Sequence, residues 1–219
     1  VIYQLGVKLY PRDINLLSQL AALLHRLGLE ERAEPLYRKV LMIHPNNAFA
    51  HLGLAQIDHK LGLVDRSAGH YERALETMAD NAGIWRDYAE LLIAMREPKT
   101  AELAVRKSLA LSMQPETLLI LASAQRASGN LQEALETLQN LLARFPDRKD
   151  MALARALWLL EAGRDSEALA GAEATMEPGR GEPLAYWIRA RIFLKQDRYS
   201  AAVADLARAA EAERTAPFT

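Results

Sequence analysis

The chain has no cysteine, which excludes a disulfide scaffold, a thiolate-ligated zinc site and a cysteine nucleophile. Aromatic residues are only 6% of the 219, too few for a sheet-rich core. Neither sign of charge dominates: 27 Lys and Arg face 28 Asp and Glu, for a net charge of −1. Balance also holds locally, with 14 basic and 13 acidic residues up to Met113 and 13 and 15 beyond it. Nothing here supplies the basic surface that nucleic-acid binding requires. No apolar run reaches the ~18 residues of a membrane span. The nearest, Met151 to Leu160, is broken by Arg155. Phosphate-binding glycine loops, the zinc-protease His-Glu-x-x-His and the Gly-x-Ser-x-Gly nucleophile turn are likewise missing.

What is present is alanine and leucine, 75 of 219 residues together. Half the chain is hydrophobic and a quarter charged, the composition of a folded globular protein built from good helix formers. Turn-forming residues recur at a fixed interval. Pro11 and Pro45, Gly28 and Gly62, and Gly129 and Gly163 each differ by 34 in sequence number. Setting position 1 at Ile14, Ala48, Ala82, Pro115, Lys149 and Pro183 repeats that interval, with a single step of 33 between Ala82 and Pro115.

Columns then align. Position 8 is Ala21, Ala55, Ala89, Ala122, Ala156 and Ala190; position 20 is Ala33, Ser67, Ala101, Ala134, Ala168 and Ala202. Position 15 is Gly28, Gly62, Arg96, Gly129, Gly163 and Asp197. The spacing predicts two helices per repeat, joined near position 15, where glycine supplies the positive φ that ends a helix. Small residues at 8 and 20 let the paired helices approach closely. Positions 4, 7, 8 and 11 form the stripe of an amphipathic helix. Asp58 and Gln125 at position 11, and Arg155 and Arg189 at position 7, stand where the pattern wants apolar residues.

This pattern resembles the tetratricopeptide repeat family, whose signature is W-x2-L-G-x2-Y, then A-x3-F, then P, at a 34-residue period. The third repeat matches through Trp85, Tyr88, Ala89, Leu92, Ala101 and Val105, and the first through Leu17, Leu20, Ala21, Leu24, Ala33, Tyr37 and Pro45. The resemblance covers about residues 14–216. It implies an all-α, right-handed solenoid of antiparallel helix pairs, with repeats at 14–47, 48–81, 82–114, 115–148, 149–182 and 183–216. Residues 1–13, through Val1 to Tyr10, would hold the second helix of a preceding repeat. Pro217, 34 after Pro183, would open a further one in 217–219. The chain is therefore expected to be part of a longer repeat region.

All five histidines, His25, His44, His51, His59 and His70, precede Tyr71. His25 and His59 share position 12, and Glu90 could join them as a metal ligand. No i, i+4 histidine pair fixes such a geometry, so they are read as groove-lining residues, with no metal and no cofactor expected. Gly179-Arg180-Gly181 follows a helix rather than a strand and is read as a loop. Carboxylate pairs such as Glu30 with Glu31 and Glu173 with Glu177 are read as solvated helix surface.

In tetratricopeptide arrays the first helix of each repeat lines a concave groove through positions 2, 5, 9, 12 and 13. Carried onto this sequence, the first repeat offers Asn15, Ser18, Ala22, His25 and Arg26. The expected partner-binding set is Phe49, Leu52, Gln56, His59, Arg86, Glu90, Leu119, Ser123, Arg126, Leu153, Trp187 and Arg191. Leu157, Leu160, Leu184 and Leu194 make the last two repeats the more apolar. The carboxylate clamp of chaperone-binding members is not expected, because Ser18, Ala22, Gly53, Gly83 and Asp87 stand at its positions.

The resemblance thus implies a non-catalytic scaffold for a protein or peptide partner, without membrane insertion of this segment. The composition resembles bacterial members, which serve in envelope assembly and exopolysaccharide export. Two alternatives stand beside it: a docking arm of an enzyme whose catalytic domain lies outside the chain, and a self-assembly module forming homo-oligomers. Compartment is left open between periplasm and cytoplasm, with the periplasm preferred.

Overall fold

A computed structural model describes residues 9–176 and 182–215. The described residues form twelve helices and no strand. They are α1 (Ile14–Arg26), α2 (Glu30–Ile43), α3 (Ala48–Lys60), α4 (Val64–Leu75), α5 (Ala82–Ala94), α6 (Pro98–Leu111), α7 (Pro115–Ala127), α8 (Leu131–Arg144), α9 (Lys149–Glu161), α10 (Asp165–Ala174), α11 (Pro183–Lys195) and α12 (Tyr199–Thr215). The odd-numbered helices open at the six residues numbered position 1. Val1 to Lys8, Gly179-Arg180-Gly181, Glu177 and Pro217 lie outside the described residues.

The turn column behaves as one element. Gly28, Gly62, Gly129 and Gly163 have φ of 70, 73, 87 and 73°. Arg96 and Asp197 adopt the same left-handed conformation, with φ of 62 and 56°, although each carries a Cβ. The chain reverses there through paired backbone bonds. At the first turn the Gly28 N–H donates to the His25 carbonyl and the Leu29 N–H to that of Leu24, each at 2.9 Å. Opposite ends are capped by short polar side chains in the first three repeats. Asp13 accepts from the Leu16 N–H, Asn47 from that of Ala50, and Asn81 from those of Gly83 and Ile84.

The chain divides into two compact units, one ending at Ala124 and the other starting at Gln125. In the first, α1 to α6 pack as successive antiparallel pairs, with α3 seated on α1 and α2, and α5 on α4. Its core joins two clusters, one around Leu17, Tyr37 and Leu54 and one around Tyr71, Tyr88 and Leu92. In the second, α9 with α10 and α11 with α12 repeat the pairing around Leu138, Met151, Leu159 and Ile188. The side chains at positions 8 and 20 are all fully or almost fully buried. The one hydroxyl among them, on Ser67, donates to the Ala55 carbonyl at 2.7 Å, so a position-20 side chain closes onto a position-8 backbone.

Of these polar departures from the apolar stripe, Asp58, Gln125 and Arg189 become internal polar contacts. Asp58 is fully buried, 3.0 Å from the Arg66 guanidinium and 3.9 Å from His70 Nε2. Neither of its oxygens receives an aligned hydrogen bond, and burial pushes its pKa up, against the pull of Arg66. Gln125 donates to Glu133 at 2.7 Å and accepts from the Thr137 hydroxyl at 2.9 Å. Arg189 grips the buried Asp205 with two bonds, of 2.6 and 2.9 Å. Arg155 is the exception: its Nε is buried with no hydrogen-bond partner among the described residues, and desolvation lowers its pKa.

Candidate functional site

In the first unit, two neighbouring clefts open between the odd helices. One, of about 480 Å³, runs along α1 and the N-terminal half of α3. Asn15, Ser18, Ala22, His25 and Arg26 form one wall, and Phe49, Leu52 and Gln56 the other. These are the positions 2, 5, 9, 12 and 13 named from the register. The second cleft, of about 430 Å³, lies between α3 and α5 and is lined by Gln56, His59, Lys60, Tyr71, Asp87 and Glu90. Gln56 belongs to both.

Three residues that the register does not name shape these spaces. Gly53 and Tyr37 form the floor of the first cleft, because the missing Cβ of Gly53 admits the Tyr37 ring. Tyr71, stacked at a tilt on Tyr88 with ring centres 5.8 Å apart, does the same for the second. Both tyrosines stand at position 24 on second helices. Their shared position, paired with Gly53 one helix further on, was the signal available in the sequence.

The first cleft is apolar and half-enclosed, and Phe49 stands at its rim 66% exposed. Burial lowers the pKa of His25. The second cleft is polar. Arg86 is held by Asp87 through bonds of 3.1 and 2.8 Å, and Lys60 by Glu30 across to α2. Glu90 has its pKa raised, first by partial desolvation and then by repulsion from Asp87. Among the described residues, no group of three or more His, Asp or Glu is arranged to hold a metal, and His25, His59 and Glu90 form none. Among the described residues, no helix is long and apolar enough to cross a membrane.

The remaining expected residues divide. Leu119 and Ser123 are half-buried on α7, where the Ser123 hydroxyl bonds back to the Leu119 carbonyl at 2.9 Å. Arg126 is exposed, doubly bonded to Glu161 at 2.8 Å and 5.4 Å above the Trp158 ring. Trp187 is half-buried with the exposed Arg191 stacked on it at 5.1 Å. Leu153 is a correction: it is only 5% exposed and belongs to the core of the second unit. Leu160 is also buried, whereas Leu157, Leu184 and Trp187 are half-buried and Leu194 is exposed, so the apolar end of the expected groove is internal packing only in part. α11 packs on α9 there, carrying Trp187 at the same register position as Leu153.

Comparison with known proteins agrees with the helical-pair fold. The sequence profile of the family described as tetratricopeptide repeat matches residues 120–183. No curated protein matches the chain. Among solved structures it is similar to a tetratricopeptide repeat protein from Parabacteroides merdae, with a TM-score of 0.74 and 21% identity over 95% of this chain and 83% of that one. It is also similar to PilW, described as a widely conserved type IV pilus biogenesis factor, with a TM-score of 0.75 and 19% identity over 93% and 94% of the two chains. YrrB, described as a tetratricopeptide protein with an unusual peptide-binding site, aligns with a TM-score of 0.70 and 18% identity over 90% and 97%. These likenesses establish the fold class, an all-α tetratricopeptide solenoid.

Proposed function

We propose that the chain, which has the tetratricopeptide solenoid fold, is a non-catalytic scaffold that holds a segment of a partner protein against the first-helix face of its helix pairs. One observation carries this reading. The two clefts of the first unit are lined by side chains at the register positions that face outward from α1, α3 and α5, with a large aromatic, Phe49, left exposed at the rim. Recognition of an extended or helical segment needs such an apolar recess bordered by polar groups. Leu52, Gln56, His59 and Glu90 complete the proposed surface, and Arg126, Trp187 and Arg191 offer separate contact points in the second unit.

In its finer form, the proposed setting is bacterial envelope assembly, with exopolysaccharide export as its most specific version. The fold shared with a pilus biogenesis factor supports the first and has no bearing on the second.

The test is site-specific photocrosslinking from position 49 in cells that make the protein. A crosslinked partner segment that disappears when Leu52→Glu is added supports the scaffold. Crosslinks no more frequent than those from a probe at exposed Met42 would overturn it.

A second reading, self-assembly, is favoured by α12. Position 24 is buried as Tyr37, Tyr71, Val105, Leu138 and Ala172, but on α12 it is Leu206, 40% exposed beside Tyr199 and Val203. Light scattering across a concentration range, with Leu206→Glu as the control, separates that reading from a monomer.

A further inference from the structure

The two clefts differ in chemistry, and the difference runs along one helix. At its N-terminal half, α3 presents Phe49, Leu52 and the bare backbone of Gly53 over Tyr37. At its C-terminal half it presents His59 beside Glu90 of α5. Most charges around the second cleft are already matched, Lys60 by Glu30 and Arg86 by Asp87. Glu90 is not. Among the described residues its carboxylate makes no hydrogen bond or ion pair, and neither do the side chains of Gln56 and His59 next to it. The charged groups acting on it are Asp87, which repels it, and Arg86, which Asp87 already holds, with His59 as a weaker third. A partly desolvated carboxylate with no ion-pair partner of its own is relieved by a cation entering the cleft, and an entering anion is repelled by both Glu90 and Asp87.

We propose that the segment held on this face is an extended peptide carrying an apolar side chain and, about three residues away, a lysine or arginine, with the apolar group between Phe49 and Leu52 and the cation against Glu90. This rests on the scaffold reading above and adds the chemistry of the partner to it. The spacing follows from α3. From Leu52 to His59 the helix rises about 10 Å at ~1.5 Å per residue. An extended chain running beside it covers that distance in about three residues at ~3.3 Å each. The apolar residue supplies most of the burial, while the ion pair fixes register and rejects acidic sequences.

A phage-displayed library of random peptides roughly twelve residues long, selected on the whole chain, tests the proposal. Enriched peptides are then measured by fluorescence anisotropy. Enrichment of an apolar residue and a Lys or Arg at this spacing is expected. Glu90→Gln should weaken these peptides about three- to tenfold, a loss that shrinks in high salt. Selection on Glu90→Lys should turn the enrichment to Asp or Glu. Peptides that lose binding with Phe49→Glu but show no basic enrichment and no response to Glu90→Gln would overturn the charge assignment and leave the scaffold reading standing. A selection yielding no peptide sensitive to Phe49→Glu would overturn both. Circular dichroism establishes that each variant is folded before either outcome is read.

Discussion

The Tyr37 ring occupies the place where a Cβ on Gly53 would be, so a second helix of one repeat and the first helix of the next meet through an aromatic ring on a bare backbone. Tyr37 is 4% exposed, and the pair sets both the approach of α2 to α3 and the floor of the first cleft.

Gly53→Ala should therefore destabilise the protein even though alanine is the better helix former. Overpacking costs about 1–3 kcal/mol and helix propensity returns about 1. A net loss of about 1 kcal/mol in urea denaturation is expected. Combining it with Tyr37→Leu should recover part of that loss, whereas additive losses would mean that the two residues are not coupled.

Arg96 and Asp197 hold a turn conformation that costs an L-residue about 1–2 kcal/mol. Glycine removes that strain but adds roughly 0.5–1 kcal/mol of unfolded-chain entropy. Arg96→Gly should stabilise by about 0.5–1 kcal/mol, seen as a raised thermal midpoint. Gly28→Ala, the reverse change at φ 70°, should destabilise by about 1 kcal/mol. Asp197→Gly should gain less than Arg96→Gly, because the Asp197 carboxylate accepts a 2.6 Å bond from the Tyr199 hydroxyl.

Arg155 and Arg189 share register position 7, where the other repeats carry Leu20, Leu54, Tyr88 and Leu121, yet opposite outcomes are expected. Asp205→Ala would leave the Arg189 guanidinium with only the more distant and more exposed Glu173, at 3.6 Å, and should cost about 3 kcal/mol, with Arg189→Met restoring much of it. Arg155 has a buried Nε without a partner, so Arg155→Leu should be neutral or stabilising by about 1 kcal/mol. Chemical denaturation of these variants checks both.

Acid should weaken the first unit through its histidines. His70 lies 2.9 Å from His51, Nδ1 to Nδ1, and His51 Nε2 is bonded to the Pro45 carbonyl. A carbonyl only accepts, so neutral His51 donates there and its Nδ1 accepts from His70. Burial lowers the pKa of His70, as do the charges of His51, Arg66 and Arg38, with only Asp58 opposing. His25 is lowered by burial as well. Both groups take up protons more readily unfolded, at about pH 6.5, than folded. Their contribution is complete above that value and declines as pH falls below it. Asp58 acts with the opposite sign, since its raised pKa favours the protonated folded state further into the acid range. Urea midpoints should drop between pH 7.5 and 5.5, and His70→Gln should flatten that slope. An unchanged slope would show that His70 is not the group responsible.

Much of the fold was legible because each repeat makes the same local contacts. A small residue at positions 8 and 20 and a left-handed turn at position 15 are demands of a two-helix unit, and they recur wherever that unit does. The cleft wall was legible for the same reason: Asn15, Ser18, Phe49, Leu52 and Gln56 are fixed by their angle on α1 and α3. Leu153 shows where this stops. Register gave its angle on α9 but not the bulk of what packs there, and the residue is buried. The floor of the first cleft was missed because Tyr37 and Gly53 lie on different helices and matter only together. The chemistry of the second cleft was missed because Arg86, Asp87 and Glu90 form one acidic and basic row in the sequence, and only their pairing leaves Glu90 over.

By itself, then, the sequence determined the helical class, the repeating two-helix unit, the turns and the outward-facing positions, since all of these follow from interactions within a repeat. The tertiary structure decided which polar departures became matched pairs, as Arg189 with Asp205, and which did not, as Arg155. It also decided which outward positions stayed open and which carboxylate was left without an ion-pair partner. Those outcomes depend on the volume and charge that one helix sets against another, and no single repeat encodes both sides of that contact.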